Sequence, residues 1–409
     1  MADDDLLELT CAGVLWRVEP QWAPVLRREV FEPLAGLDTR PRVEQIKHSN
    51  RRTIYRVPLS DGRQLIVKIF RFASWRERLK ERVLGAKPAI EWRASRRLLA
   101  QGISASHAIA LGTPTTRGTP IEGYLVVDAS HNVLGLNNYI TLRATQAPAD
   151  PVAAQLDTVQ ELAAWTRRLH DAGVRHHDLH GGNILARLAP SDGEERFVAI
   201  DLHRIAIGSP PGAAHREQAI ALLLRTLTPD EAAIPQLPSV FLNAYASAAS
   251  SRPSAMPDLR RILARMHQQE ARRQRSRARR CLKNSSVYAV ERIEGWRIHH
   301  RRDVPASQVL ALVERHRSHW PAGAGTPTPV SKLQRSESQI EIREYPAPGC
   351  LGLLWHMLFG SPGLHAYAAA HRAWIATGSG PRPVAAVHRL RQPGRGASFA
   401  LIEPAPTPK

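Results

Sequence analysis

The sequence predicts an α+β protein in which a small β-rich half is followed by a larger, mostly helical half. Three early strands are predicted from alternating and β-branched residues, at residues 43–48, 53–59 and 64–70. Ser60-Asp61-Gly62 predicts a tight hairpin between the last two of them. Beyond the small half, apolar residues recur at helical spacing, most clearly over residues 154–172 and 215–227. A hydrophobic content of 43% excludes broad disorder.

One helix and four further strands are predicted after the three early strands. A helix ending near Gly102 comes after the third strand, because Ile90, Ala94 and Leu98 recur at helical spacing. Further short strands are predicted at residues 108–111, 124–127, 183–187 and 197–200. This order favours a bilobal, protein-kinase-like fold. We predict five segments: an N-terminal appendage (1–40), an N-lobe (41–128), a C-lobe (129–320), a Pro/Gly-rich linker (321–330) and a C-terminal segment (331–409). The C-lobe includes a basic helix at residues 258–283.

The charge of the chain is strongly positive, with 56 Lys+Arg against 37 Asp+Glu and a formal net charge of +19. Nearly half of this excess lies between Arg260 and Lys283, where Glu270 is the single acid. Such a balance suits an anionic membrane, a phosphorylated substrate or nucleic acid, but no nucleic-acid-binding motif accompanies it. The acidic N-terminus, the scattered cysteines and the absence of a 20-residue apolar run favour a cytoplasmic protein.

The strongest motif is HHDLHGGNIL at residues 176–185, in which an HxD is followed five residues after the Asp by an Asn and then by an apolar strand. This is the catalytic-loop pattern of kinase-like phosphotransferases. Asp178 would orient the attacking hydroxyl, Asn183 would hold Mg²⁺ and His176 would brace the loop. Asp201, at the end of an apolar strand, would be the second Mg²⁺ ligand.

A lysine in the middle of an apolar strand completes the candidate site. Lys68 is costly to bury without a partner, and Glu91, 23 residues later on the predicted helix, is placed to pair with it. The phosphate-covering loop departs from the protein-kinase pattern, because residues 48–53 contain no glycine. Arg51 and Arg52 could supply charge to the phosphates there.

Zinc binding by the three histidines of the catalytic loop is a competing interpretation. It is disfavoured because the segment that holds His176, His177 and His180 contains two glycines, and neither a cysteine nor a further carboxylate ligand lies close to it in the sequence. Asp201 is also followed by Leu202-His203-Arg204 and not by Phe-Gly, so an activation-loop switch is not expected.

Together these residues resemble the lipopolysaccharide kinase (Kdo/WaaP) family, in particular its InaA-like branch, from about residue 43 to residue 319. The resemblance implies a protein-kinase-like enzyme that transfers the γ-phosphate of ATP, with Mg²⁺, to heptose or Kdo of the lipopolysaccharide inner core. It implies Asp178 as the catalytic residue, Lys68 and Glu91 as the phosphate clamp, and Asn183 and Asp201 as metal ligands. It places the protein at the cytoplasmic face of the inner membrane, where residues 260–283 would contact the anionic surface.

Two other functions stay open. One is a kinase of the aminoglycoside or choline type, acting on a soluble alcohol. The other is a pseudokinase or scaffold, suggested by the glycine-free loop and by the C-terminal segment, residues 331–409. That segment resembles a degenerate second N-lobe, because Arg343 and Ala366 repeat the 23-residue interval of Lys68 and Glu91. Because Arg343 and Ala366 stand in place of the clamp lysine and glutamate, and no catalytic loop follows, the segment is not expected to transfer phosphate.

Overall fold

The computed structural model divides the chain into two compact units, Met1–Met266 and His267–Lys409. The structure describes residues 5–72, 85–116, 118–129, 132–227, 234–248, 256–319, 330–335, 338–345, 360–389 and 398–404. Within them, no helix combines the length and the apolar character needed to span a bilayer.

The first unit begins with a seven-stranded antiparallel sheet. Its strands are β1 (Leu7–Cys11), β2 (Val14–Val18), β3 (Glu44–His48), β4 (Arg52–Pro58), β5 (Gln64–Arg71), β6 (Ala108–Pro114) and β7 (Ile121–Asp128). Their order across the sheet is β1-β2-β6-β7-β5-β4-β3. The five strands predicted for this half are therefore confirmed, including the turn at Gly62, whose φ of +88° suits glycine.

The first 40 residues form part of this sheet, which differs from the predicted appendage. β1 and β2 extend the sheet beyond β6, and a helical segment containing α1 (Ala23–Leu26) follows them. The ring of Trp16 stacks on that of Phe31 at 3.9 Å between centroids, and both side chains are fully buried. The segment therefore supplies core residues to the sheet, and an N-lobe boundary at residue 41 would cut through that core.

One long helix crosses the sheet between β5 and β6. This helix, α2 (Lys87–Ala100), ends at the position predicted from the sequence, because Gly102 has a φ of +71° and Ile103 N donates to Leu98 O at 3.0 Å. Beyond the turn, Ser106 N donates to Ala199 O at 2.8 Å, which ties the sheet to the helical half of the same unit.

The rest of the first unit is mostly helical and packs around one core. Its helices are α3 (Leu136–Gln146), α4 (Pro151–Asp171), α5 (Ala213–Leu227), α6 (Leu237–Ser247) and α7 (Leu259–Ala278). Its strands are β8 (Val133–Gly135), β9 (Val174–His176), β10 (Ile184–Arg187), β11 (Phe197–Ala199) and β12 (Ile205–Ile207). Buried residues of α4 and α5, such as Trp165 and Leu223, form the core. The chain thus has the predicted α+β, protein-kinase-like fold.

The second unit contains a six-stranded antiparallel sheet. Its elements are β13 (Tyr288–Ile293), β14 (Trp296–Arg301), α8 (Ala306–His319), β15 (Val330–Arg335), β16 (Ser338–Tyr345), α9 (Pro362–Thr377), β17 (Arg382–Arg389) and β18 (Ser398–Glu403). The strand order is β13-β14-β17-β18-β16-β15. When β3 is omitted, the strands of the first sheet follow one another in the same order. α9 lies between β16 and β17 along the chain, as α2 lies between β5 and β6.

The boundary between the units therefore differs from the predicted one at residue 320. β13, β14 and α8 belong to the second unit, where Val309 and Val313 share a core with Leu333 and Ile340. The division falls inside α7, the basic helix predicted for residues 258–283, where no proline or glycine marks it. Nine of the ten residues assigned to the predicted linker lie outside the described residues.

Candidate active site

Lys68 and Glu91 form a buried ion pair. Lys68 lies in the middle of β5, opposite Leu125 of β7, and its side chain is 9% exposed. Its Nζ lies 2.5 Å from Oε1 of Glu91, which is fully buried on α2. The other oxygen, Oε2, is buried and accepts no hydrogen bond from any described residue. The glutamate therefore holds the lysine in place and keeps one oxygen without a donor.

The catalytic loop is held by hydrogen bonds that begin at its first residue. His176 ends β9, and its Nδ1 accepts a hydrogen bond from Asp178 N at 3.2 Å. Burial lowers the pKa of His176 to about 4, so the ring is neutral at pH 7 and can accept this bond. Asn183 Nδ2 donates to Asp178 O at 2.9 Å. The loop is thus braced at both of its ends around Asp178.

Strand pairing brings Asn183 beside Asp201. β10 and β11 pair antiparallel with Ile184 opposite Ala199, so the residue before β10 lies next to the residues after β11. Ile200 N accordingly donates to Asn183 O at 3.0 Å. Asp201 itself has φ +61° and ψ +50°, a left-handed conformation that is unusual outside glycine.

Two basic side chains contact the carboxylate of Asp201. Arg52, at the start of β4, donates to Oδ1 at 2.7 Å and to Oδ2 at 3.3 Å, and His203 Nδ1 lies 2.7 Å from Oδ1. Burial alone would raise the pKa of Asp201, but the hydrogen bonds from His203 and Arg52 outweigh it and hold the pKa far below its usual value. Asp201 is therefore ionised at any working pH.

The carboxylate of Asp178 also has a basic partner. β12 pairs with β9 so that Ile205 lies opposite His176, which places Arg204, just before β12, beside the catalytic loop. Arg204 donates to Asp178 Oδ2 at 2.9 Å. The Asp178 side chain is 33% exposed, so it can be reached from solvent while the arginine fixes its orientation.

The site contains oxygen donors suited to a divalent cation. Ligand atoms of Glu91, Asp201 and His203 lie within 4.8 Å of one another. Mg²⁺ prefers carboxylate and amide oxygens, which Asp201 and Asn183 provide, and the orphaned oxygen of Glu91 adds negative charge nearby. The residues present therefore fit a magnesium ion held by Asp201 and Asn183.

The sequence interpretation missed two contacts of the site. Arg204 and His203 were not proposed as site residues, although they lie only three and two residues after Asp201 in the sequence. Arg51 is exposed, whereas its neighbour Arg52 reaches Asp201.

The zinc interpretation gains no support from the histidines of the loop. His176 accepts from Asp178 N, and His180 Nδ1 accepts from Gly182 N at 3.0 Å. Among the described residues, the cluster with metal-ligand geometry is the one at Asp201, which contains neither of these two histidines.

Comparison with known proteins matches residues 44–245 to the model of the lipopolysaccharide kinase (Kdo/WaaP) family. Two curated relatives are both lipopolysaccharide core heptose(I) kinase WaaP. The Escherichia coli protein is 29% identical over 128 residues, which cover 31% of this chain and 47% of that relative. The protein of Escherichia coli strain K12 is 27% identical over 204 residues, which cover 48% of this chain and 70% of that relative. The match thus spans about half the length of the first relative.

Among solved structures, WaaP in complex with acyl carrier protein has a TM-score of 0.41 and 23% identity, covering 63% of this chain and 95% of that one. A glucosamine kinase in complex with glucosamine, ADP and inorganic phosphate has a TM-score of 0.37 and 13% identity, covering 65% and 87%. The Rio2 kinase–ADP/Mg²⁺–phosphoaspartate complex from Chaetomium thermophilum has a TM-score of 0.36 and 15% identity, covering 67% and 82%.

Proposed function

Because residues 44–245 match the model of the lipopolysaccharide kinase (Kdo/WaaP) family, we propose that this chain transfers the γ-phosphate of ATP to a hydroxyl of heptose or Kdo in the lipopolysaccharide core. This proposal rests on the observation that segments far apart in the sequence lie beside one another in the first unit. The buried Lys68–Glu91 pair lies beside Asp201, which in turn adjoins the loop that presents Asp178. A phosphoryl-transfer site needs these groups together.

In the proposed reaction, the acceptor oxygen attacks the γ-phosphorus and the bond between that phosphorus and the bridging oxygen of ADP breaks. Asp178 accepts a hydrogen bond from the acceptor hydroxyl, orients it and takes its proton as the new bond forms. Arg204 holds the carboxylate for this role. Lys68, fixed by Glu91, would contact the α- and β-phosphates.

Magnesium, held by Asp201 and Asn183, would neutralise charge that develops on the phosphate oxygens. Arg52 now donates to Asp201 and would move toward the phosphates when nucleotide binds. Catalysis would then rest on positioning and charge neutralisation by the protein. The neutral His176 would keep the loop in its active conformation.

The acceptor can be tested with purified protein, Mg·ATP and three candidate acceptors. These are core oligosaccharide lacking its phosphates, glucosamine and choline. We expect transfer to the oligosaccharide, and loss of transfer in the Asp178→Asn variant. Transfer to glucosamine or choline, together with no transfer to the oligosaccharide, would favour the small-molecule kinase.

The scaffold alternative is separated by nucleotide binding. We expect Mg·ATP to raise the unfolding temperature of the protein, because ligand that binds the native state stabilises it by mass action. The Lys68→Met variant is expected to show a smaller rise, since the lysine would contact the phosphates. A protein that neither binds nucleotide nor transfers phosphate would be a pseudokinase.

The basic segment between Arg260 and Lys283 would bring the enzyme to its substrate. α7 and the turn after it expose arginines to solvent, including Arg272, Arg273 and Arg279. Basic residues near an anionic membrane surface contribute about 1 kcal/mol each to binding. We expect peripheral association with the cytoplasmic face of the inner membrane, measured as salt-sensitive binding to vesicles that contain anionic lipid.

A further inference from the structure

The second unit contains two adjoining basic cavities at the end of α7, far along the chain from the catalytic loop. One has a volume of about 580 Å³ and is lined by α7, the turn after it, β14 and α9, and the other has a volume of about 470 Å³. Arg280 and Ser285 line both cavities. We propose that these cavities form a binding site for the phosphate ester of a sugar.

The lining carries positive charge without acidic residues. The smaller cavity is lined by Arg272, Arg275, Arg279, Arg280 and Lys283, and none of its lining residues is Asp or Glu. The larger cavity likewise has no acid and adds Arg277, Arg301 and Arg382. Like charges this close repel one another, and an anion bound between them would remove that repulsion.

The arginines differ in whether they already have partners. Arg301 donates to Asp303 at 2.7 Å and to Glu403 at 3.0 Å, so it belongs to the structure of the sheet. Across the described part of the chain, Arg277 and Arg280 have neither an ion pair nor a side-chain hydrogen bond. Their guanidinium groups therefore remain available for a ligand, and guanidinium binds phosphate through two parallel hydrogen bonds.

The larger cavity also has lining residues suited to an organic group. Trp374 and Ile375 of α9 supply apolar surface, and Val287 contributes more from the loop before β13. Tyr288 Oη and His371 Nε2 lie 2.7 Å apart and add a buried polar pair. Aromatic and aliphatic surface facing a cationic cluster fits a sugar ring that carries phosphate, and the volume is of the size that holds a small ligand.

This site is separate from the proposed phosphotransfer, because all of its lining residues belong to the second unit. The sheet of the second unit repeats the strand order of the first sheet, but the described residues of this unit contain no counterpart of the Lys68–Glu91 ion pair. Arg343 is exposed and pairs with Glu341, while Ala366 stands where the helix would carry a carboxylate. We infer that this unit binds its ligand beside α7 and not on the face that holds nucleotide in the first sheet.

Binding can be measured on the full-length protein with two probes. Glucose 1-phosphate in solution tests a free sugar phosphate, and phosphatidylcholine vesicles containing phosphatidic acid test a phosphate monoester on a lipid. We expect calorimetric binding of glucose 1-phosphate, weakened about tenfold or more by Arg277→Ala with Arg280→Ala, because each guanidinium would donate charged hydrogen bonds to the phosphate. Sedimentation with the vesicles tests whether a phosphate monoester without a sugar is bound as well. Arg280→Lys should be intermediate, because it keeps the charge but loses the paired donors.

The matched control removes the same charge elsewhere in the unit. Arg315→Ala with Arg317→Ala alters two exposed arginines of α8 that line neither cavity, and binding should be unchanged. Asp178→Asn should also bind as the wild type does, which separates this site from the catalytic one. Equal weakening by both arginine pairs, equal binding of unphosphorylated glucose, or no binding of glucose 1-phosphate, with or without binding of the vesicles, would overturn the proposal.

Discussion

Arg52 donates to both carboxylate oxygens of Asp201, at 2.7 and 3.3 Å, and so occupies the side chain that fits a metal ion. The pair is mostly buried, with the two side chains 16% and 21% exposed. In a site built for a divalent cation, this arginine must leave the carboxylate when metal enters. The glycine-free segment of residues 48–53 therefore carries, at the start of β4, a cation that competes with the metal.

The first prediction follows from this competition. Arg52→Gln should bind Mn²⁺, a probe for the metal site, about tenfold more tightly in the absence of nucleotide, because a neighbouring charge of this kind shifts such equilibria by about one to three log units. Arg56→Gln is the matched control, since Arg56 on the same strand pairs with the exposed Glu44. Unchanged Mn²⁺ affinity in Arg52→Gln would show that Asp201 is not a metal ligand.

The buried pair of Lys68 and Glu91 predicts a difference between single and double variants. Lys68→Met leaves Glu91 charged and buried, and we expect the free energy of unfolding to fall by about 3–5 kcal/mol. Lys68→Met with Glu91→Met replaces the whole pair with apolar groups and should recover most of this loss. Both variants should lose phosphotransfer. Denaturant unfolding measures the stabilities, and equal stability of the two variants would contradict a coupled pair.

Gly173, just before β9, predicts a large effect of a single methyl group. Its φ is +79°, and a Cβ would lie 1.7 Å from Gly208 O, which belongs to the segment paired with it. Gly173→Ala should lower the free energy of unfolding by more than about 4 kcal/mol. Gly193 has a φ of +82° and open space around it. Gly193→Ala should therefore lower the free energy of unfolding only by the cost of a left-handed backbone conformation, about 1–2 kcal/mol. Similar losses in the two variants would show that the close contact relaxes freely.

The buried His299 predicts acid sensitivity of the second unit. Its side chain is 2% exposed, its ring nitrogens have no partners among the described residues, and burial lowers its pKa to about 3. Between this value and about 6.5 the unfolded chain binds the extra proton, so stability is lost as the pH falls below about 6.5. Protonation of His299 in the unfolded chain should therefore lower the free energy of unfolding by about 2 kcal/mol between pH 7.5 and about pH 5.

The variant His299→Phe keeps an aromatic ring and cannot be protonated. We expect its unfolding free energy to fall less than that of the wild type over the same pH interval, with the second unit followed by chemical denaturation. His365→Phe serves as the control for replacing a histidine with phenylalanine in the same unit, because His365 is exposed. An identical pH dependence in the wild type and His299→Phe would contradict this account of the buried ring.

Much of the fold, and the contact between Lys68 and Glu91, could be predicted from local sequence. The hairpin at Gly62 and the helix end at Gly102 depend on backbone conformations that glycine favours, and both appear where expected. The 23-residue interval between Lys68 and Glu91 predicted a contact because a buried lysine needs a partner.

Other features depended on interactions that a local pattern does not encode. The pairing of Arg52 with Asp201 joins residues 149 positions apart and depends on how the sheet meets the helical half. β1 has mainly exposed side chains, so alternation gave little sign of a strand before Val14. The division at residue 266 falls inside a continuous helix, where composition carries no boundary.

The most direct measurement is phosphoryl transfer by Asp178→Asn alongside nucleotide binding by the same protein. The substitution keeps the size of the side chain and the loop around it but removes the carboxylate that would accept the proton. We predict that transfer from labelled ATP to core oligosaccharide falls by about a thousandfold while the affinity for Mg·ATP stays within about threefold. Transfer at the wild-type rate by this variant would contradict the assignment of Asp178 and the catalytic site built around it.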